Sequence, residues 1–213
     1  MQHMADHKTI ECVIPNLLLH HNVAIIGSSA RLLQDPVGEQ IDQYNEVVRF
    51  NRAPTDGYEE YVGAKTTLRV TNNHVFNNNK LDEKEWSDQP QYFIKNLKNT
   101  NILYFARDLA PWWDRKKNAD PSCRLHIVNY ERLDAIRRGL YLPFKGDFSV
   151  GAGFVFLCLA SGIKPHLFGF DLEAGCSRSH YWETRPKAGP VHSVSSEKKW
   201  LQLLARHGKI IYH

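Results

Sequence analysis

A chain of 213 residues, 42% hydrophobic and 23% charged, has room for one domain with a full core and little room for two. Its formal net charge is only +4, and no basic run is longer than Arg115-Lys116-Lys117, which argues against a nucleic-acid binder with its positive charge gathered on one face. Four cysteines without a CxxC pair give no disulfide framework or zinc ribbon, and the longest apolar run, Phe154 to Ala160, falls short of the ~20 residues a membrane helix takes.

In chain order, residues 1–21 read as an N-terminal extension whose apolar run, Val13 to Leu19 broken by Pro15, covers one edge of the core. Val23-Ala24-Ile25-Ile26 is a buried strand and Gly27-Ser28-Ser29-Ala30 a small-residue turn. A helical segment follows, with Gly38 to Asp42 on it or just before it. Val47 to Phe50 is the second strand, closed by Asn51-Arg52-Ala53-Pro54. This β-turn-α-β unit offers N–H groups and hydroxyls at a helix N-terminus, a place suited to phosphate. Thr66 to Thr71 is a third strand ending in Asn72-Asn73-His74, and residues 77–91 form a polar surface excursion. Ile102 to Phe105 is a fourth strand, Asp108 to Trp113 a loop or helix, Leu125 to Val128 a short strand, and Glu131 to Arg138 a helix ended by Gly139.

Gly146 to Gly153 reads as a glycine-rich turn, Phe154 to Ser161 as a buried helix and Gly162 as its end; a buried strand also suits so apolar a run, and periodicity does not separate the two. Pro165 to Phe170 is a strand with Gly169-Phe170-Asp171 at its carboxyl end. A polar loop from Glu173 to Val194 carries His180-Tyr181-Trp182-Glu183 and His192. The last helix starts near Ser195 or Ser196, with Trp200, Leu201, Leu203 and Leu204 as its apolar stripe, and Gly208 ends it before a strand from Lys209 to Tyr212. Alternation of strands and helices predicts an α/β fold: one Rossmann-like domain over residues 1–213, with a mostly parallel central sheet flanked by helices. Ligands in such sheets sit beyond the carboxyl ends of the strands, where Gly27-Ser28-Ser29, Asn51, Asn72, Asp171 and the His180 to His192 loop all fall.

Gly27-Ser28-Ser29 lacks both GxGxxG and the Walker lysine, so a common dinucleotide or P-loop site is not indicated, and a plain tight turn explains it equally well. Asn51 and Asn72 either cap turns or bond a ribose or phosphate. Ser149-Val150-Gly151 before a helix is a second turn that favours anions. His180 and His192 are the candidates for proton transfer near neutrality, although one histidine among eleven is most often a surface group. HExxH, clustered Cys/His ligands and a GxSxG elbow are all absent, which excludes the familiar zinc-site and serine-hydrolase patterns.

Four motifs in order give the chain a resemblance to the eukaryotic-type sialyltransferase family, glycosyltransferases that use CMP-activated sialic acid. The long motif is similar to Val23 to Ser29, Glu39 to Asp42, Val48 to Thr55 and Val62 to Thr67. The short motif resembles Phe148 to Gly151 through Leu167 to Phe170, the third resembles His180-Tyr181-Trp182-Glu183, and the last is His192 followed five positions later by Glu197. The resemblance implies a sialyltransferase variant of the GT-A type, inverting and metal-independent, with no cofactor, a CMP-sugar donor and a glycan acceptor. It implies that Ser28 and Ser29 approach the nucleotide phosphate or ribose beside Gly27, and that Asn51 contacts the nucleotide. Ser149, Val150 and Gly151 then lie near the cytidine, Phe170 packs the nucleotide, His180 stabilises the leaving phosphate, and His192 is the general base. Tyr181 and Trp182 wall the sugar or simply pack.

The departures from the family pattern are chemical. Ser28 stands where the family has Asn, and Val150 where it has Thr. Gly162 stands at the family's short-motif Cys, and no Cys lies near Asn22 to bond it. The missing pair and the absence of a visible signal pattern fit a reducing, cytoplasmic setting, with a truncated membrane-anchored enzyme as the alternative. The altered donor positions keep CMP-Kdo open beside CMP-sialic acid, and a module that binds nucleotide or glycan without turnover open beside an enzyme.

Overall fold

An unbroken apolar run with no alternation must be buried on both faces, which is the environment of a central parallel strand. Val23–Ile26 (β1) meets that condition, with each residue at most 1% exposed. The computed structural model describes residues 21–72, 101–106, 125–129, 149–172, 180–183 and 194–213. Around β1 lie Glu46–Phe50 (β2), Leu68–Asn72 (β3), Asn101–Ala106 (β4), Leu125–Asn129 (β5), His166–Phe168 (β6) and Ile211–Tyr212 (β7). They form one sheet in the order β5-β4-β3-β2-β1-β6-β7, and every neighbouring pair is parallel, so the expected mostly parallel sheet is wholly so among the described residues. The chain winds outward from β1 to β5 and then returns to the other side of β1. That reversal puts the topological switch point at the carboxyl ends of β1 and β6, where a doubly wound sheet has its ligand crevice.

Alternate residues of the strands feed two cores. Val23, Ile25, Val48, Leu68 and Val70 meet the helices Val150–Ala160 and Val194–Arg206 on one face. Ala24, Ile26, Val47 and Phe168 meet Leu32 of the 3-10 segment Ala30–Gln34, Ile41 of α1 (Gly38–Asp42) and Val62 of α2 (Glu59–Val62) on the other. Val150–Ala160 is α3, which settles the helix-or-strand ambiguity. Residues Val150, Ala152 to Cys158 are all buried, so no apolar stripe survives in the sequence to reveal the helical period. Gly162, at φ +73°, ends the segment. In α4 (Val194–Arg206), Glu197, Trp200, Leu201 and Leu204 hold the i, i+3, i+4, i+7 inner stripe, whereas Leu203 is 47% exposed and leaves the stripe expected of it. Strand 165–170 is trimmed to β6 because Gly169 turns left-handed (φ +67°) right after Phe168.

The predicted edge run Val13 to Leu19, the excursion 77–91, the segments Asp108 to Trp113 and Glu131 to Arg138, and His192 lie outside the described residues. Among the described residues, no helix is long and apolar enough to cross a membrane. Cys158 is a free, buried thiol in the last turn of α3, and burial pushes its pKa well above the ordinary thiol range, so it is an inert core group.

At the amino end of β6, remote from the crevice, Nδ1 of His166 faces the Tyr44 hydroxyl at 2.7 Å and Nε2 of His213 at 2.9 Å. An unprotonated Nδ1 can accept from the Tyr44 hydroxyl or from a protonated Nε2 of His213, whereas protonating both rings sets two N–H groups against each other. Burial, His213 and nearby Lys164 push the His166 pKa down, and burial pushes that of His213 down. With folded-state pKa values below those of the unfolded chain, the unfolded state binds more protons, so stability falls as pH drops from about 7 toward 5. His166→Phe is expected to flatten that dependence, measured as thermal midpoint against pH; an unchanged slope would show that other groups set it.

Candidate functional site

Two glycines decide how closely β1 and β6 leave the sheet. Gly27 N–H donates to the Phe168 carbonyl at 2.7 Å, and Ser29 N–H donates to the Gly169 carbonyl at 3.0 Å. A Cβ on Gly27 would stand 2.3 Å from that Gly169 oxygen, a backbone atom that cannot step aside, and one on Gly169 would strike Leu32 at 2.4 Å. Ser29 Oγ accepts from Arg31 N–H at 3.2 Å and caps the five-residue 3-10 segment. The expectation of open N–H groups at a helix N-terminus is thereby revised. Both of these amides are taken up by the last residue of β6 and the glycine after it, and a 3-10 turn this short carries little dipole. What the corner presents is the half-buried Ser28.

Across the crevice, Ser149 caps α3 by accepting from Ala152 N–H at 3.1 Å, while its own N–H donates to the buried carboxylate of Glu197 at 2.5 Å. Glu197 of α4 therefore closes the amino end of α3, where its negative charge also suits the helix dipole. Val150 is buried, and Gly151 leaves its flank open to Phe170, whose Cε1 would lie 3.3 Å from a Cβ there. Phe170 stands edge-on to Phe50 with ring centroids 6.3 Å apart, and its carbonyl accepts from the Tyr212 hydroxyl at 2.9 Å.

The loop after β2 turns on Asn51, the non-glycine residue with positive φ (46°) among those described. Its N–H donates to the Val70 carbonyl at 2.8 Å. Its carbonyl accepts from Nη1 of Arg69 at 2.9 Å, and the same nitrogen reaches the Ala53 carbonyl at 3.1 Å. Arg69 and its register neighbour Arg49 are both buried on the sheet, and Arg49 gathers the carbonyls of Val62, Gly63 and Lys65 at the end of α2.

The His180 turn is fastened to this corner by its neighbour. Tyr181 is 1% exposed; its N–H donates to the Ser28 carbonyl at 2.9 Å, its hydroxyl donates to the Pro54 carbonyl, and its ring meets Tyr58 edge-on at 5.1 Å. One residue thus joins the turn to the loop after β1 through its backbone and to the loop after β2 through its side chain. His180, with 39% of its side chain exposed, stacks on Trp182 at 4.5 Å, and its Nδ1 lies 2.7 Å from Glu183 Oε1.

Of the residues singled out from the sequence, Gly27, Ser28, Ser29, Tyr181 and His180 form one corner, Asn51 lies on the adjoining loop, Ser149, Val150 and Gly151 lie at the start of α3, and the Phe170 ring sits between Gly27 and Gly151. Tyr181 is packed as a strut, the plainer of its two expected roles. Arg69, Phe50 and Pro54 were not singled out. A charged residue at an inward position, between the buried Leu68 and Val70, is the signal that marks Arg69. Tyr181→Phe is expected to lower stability by about 1–2 kcal/mol in denaturant titration, because the Pro54 carbonyl loses its donor. Gly27→Ala is expected to cost more than ~2 kcal/mol or to prevent folding; near-wild-type midpoints would contradict these contacts.

The family model for glycosyltransferase family 29 (sialyltransferase) matches residues 19–209. Over 89 residues the chain is 35% identical to human beta-galactoside alpha-2,6-sialyltransferase 2, covering 42% of this chain and 15% of that protein. Over 205 residues it is 25% identical to mouse CMP-N-acetylneuraminate-beta-galactosamide-alpha-2,3-sialyltransferase 2, covering 88% of this chain and 55% of that one. The matched part therefore spans between about a seventh and about half of these relatives. A crystal structure of a mammalian sialyltransferase in complex with Gal-beta-1-3GalNAc-ortho-nitrophenol superposes with a TM-score of 0.65 at 19% identity, covering 100% of this chain and 81% of that one. A second mammalian sialyltransferase structure gives 0.64 at 22% identity, covering 90% and 68%. At these identities the superpositions speak for the shared fold.

Proposed function

Because the chain belongs to glycosyltransferase family 29, the sialyltransferases, we propose that it transfers sialic acid from CMP-sialic acid to a glycan hydroxyl, with inversion and without a metal. The observation that carries this reading is the attachment of the His180 turn to the Ser28 corner through Tyr181, at the mouth of the crevice between β1 and β6. An enzyme of this kind must hold a phosphodiester at its leaving end and remove a proton from the attacking hydroxyl. Both tasks suit imidazoles and hydroxyls.

In this reading the nucleoside lies between the Asn51 loop and Phe170, and the phosphate lies toward Ser28 and His180. Glu183 Oε1 lies 2.7 Å from His180 Nδ1 as an ion-pair contact rather than a hydrogen bond, and Trp182 backs the ring, so the imidazole is placed where it can meet the phosphate. Charge gathering on departing CMP is then met by a group already in place. His192 acts as the general base: a neutral imidazole takes the acceptor proton as the hydroxyl oxygen attacks the anomeric carbon, and the bond from that carbon to the phosphate oxygen breaks on the opposite face. Glu197, in the same motif as His192, anchors α4 to Ser149. The serine at position 28 and the valine at position 150 keep CMP-Kdo as the second donor to test. A reducing setting belongs to the same proposal, motivated by glycine in place of the short-motif cysteine.

Turnover decides between a transferase and a binding module. CMP release from CMP-sialic acid and from CMP-Kdo, followed over a panel of galactosides with EDTA present, is expected to show transfer from one of the two donors. His192→Ala is expected to lower that rate by ~10²-fold or more while CMP affinity stays within about twofold. Transfer at the wild-type rate in this variant would remove His192 from the mechanism, and CMP binding with no turnover would favour the binding module.

A further inference from the structure

We propose that Arg69, deep in β3, is a positioning residue that sets the donor contact of Asn51. The inference rests on the functional reading above, in which Asn51 meets the nucleotide. The φ of 46° at Asn51 lies in the left-handed region, which a residue with a side chain keeps only where its surroundings hold it there. Two bonds to one strand hold it. Val70 takes the Asn51 N–H at 2.8 Å, and Arg69 Nη1 donates to the Asn51 carbonyl at 2.9 Å. The second N–H of that nitrogen reaches the Ala53 carbonyl at 3.1 Å, two residues on, so one guanidinium nitrogen spans the turn. The consequence falls on the side chain. Asn51 Oδ1 is buried and has no hydrogen-bond partner among the described residues. A buried acceptor of this kind calls for a donor. A nucleoside supplies one through a ribose hydroxyl or an exocyclic amine, whereas an ionised phosphate does not.

Arginine is specific for this task. Lysine carries a compact charge on a flexible stem and lacks the planar fork that directs two N–H bonds from one atom to two fixed carbonyls. Arg69→Lys therefore keeps the charge and loses the clamp. Asn51→Gly tolerates the same backbone angle and loses the amide.

Calorimetric titration with CMP of the wild type, Arg69→Lys, Asn51→Gly and the double variant tests the link. Each single variant is expected to bind CMP about tenfold more weakly, and the double variant no more weakly than Asn51→Gly within about twofold, because the two act through one contact. In turnover, the donor KM rises while kcat holds, which a general loss of folded protein would not produce. By NMR, the Asn51 HN–Hα coupling and Cα shift are expected to leave their left-handed values in Arg69→Lys. Additive losses in the cycle, or unchanged Asn51 couplings, would overturn the proposal. Should wild type bind no CMP, the functional reading is what fails, and the Asn51 couplings alone decide whether Arg69 sets that turn. If Arg69→Lys does not fold, Arg69→Gln, which keeps a donor without a buried charge, takes its place in the same cycle.

Discussion

Two strands that leave a parallel sheet side by side can stay in backbone contact past its edge only if nothing projects between their exits. In this chain Gly27 and Gly169 meet that requirement together. Their backbones are joined by the bonds from Gly27 N–H to Phe168 and from Ser29 N–H to Gly169, at a separation where any side chain on Gly27 would overlap a carbonyl oxygen. The left-handed turn at Gly169 then sends Phe170 and Asp171 across the opening instead of along the strand. Because the order of strands reverses at this seam, residues nearly 150 positions apart in the chain come to share one corner.

The loops around that corner are held mostly by side chains that grip backbone carbonyls. Tyr181 grips Pro54, Arg69 grips Asn51 and Ala53, Tyr212 grips Phe170, and Gln202 grips Leu172. Glu197 does the converse and accepts from a backbone N–H of Ser149. Each bond starts on a regular element or a packed turn and ends on an irregular one, so the rigid sheet and helices determine where the loops lie. Such fastening leaves the ligand little ordering of the protein to accomplish on arrival.

The fold could be read in the sequence where apolar runs met turn residues. β1, β2, β4 and β5 fall within two residues of their expected bounds because each is a short β-rich run bracketed by polar or small residues. The helical reading of α3 rests on its bracketing glycines alone, since a helix buried all round has no polar face to give it a period. Leu203 misled because a leucine beside two core leucines looks like part of their stripe, and only helical geometry assigns it outward. The candidate site was legible through its motifs, which gathered His180, Ser28 and Asn51 into one reading. The clamps were less so. Tyr181 reads as a possible ligand wall until its hydroxyl is seen on Pro54, and Arg69 carries no motif that separates a strut from a contact. Long-range bonds of this kind depend on where loops arrive in space, which periodicity does not encode.

The contact between Tyr181 and Ser28 uses the serine's carbonyl, an atom that every amino acid possesses. The scaffold is thus indifferent to the identity of the side chain at position 28, even though that side chain stands at the mouth of the crevice. A position freed from architectural duty in this way is open to evolutionary drift, so the chemistry presented at the mouth of the crevice can diverge among descendants without the surrounding framework having to be rebuilt.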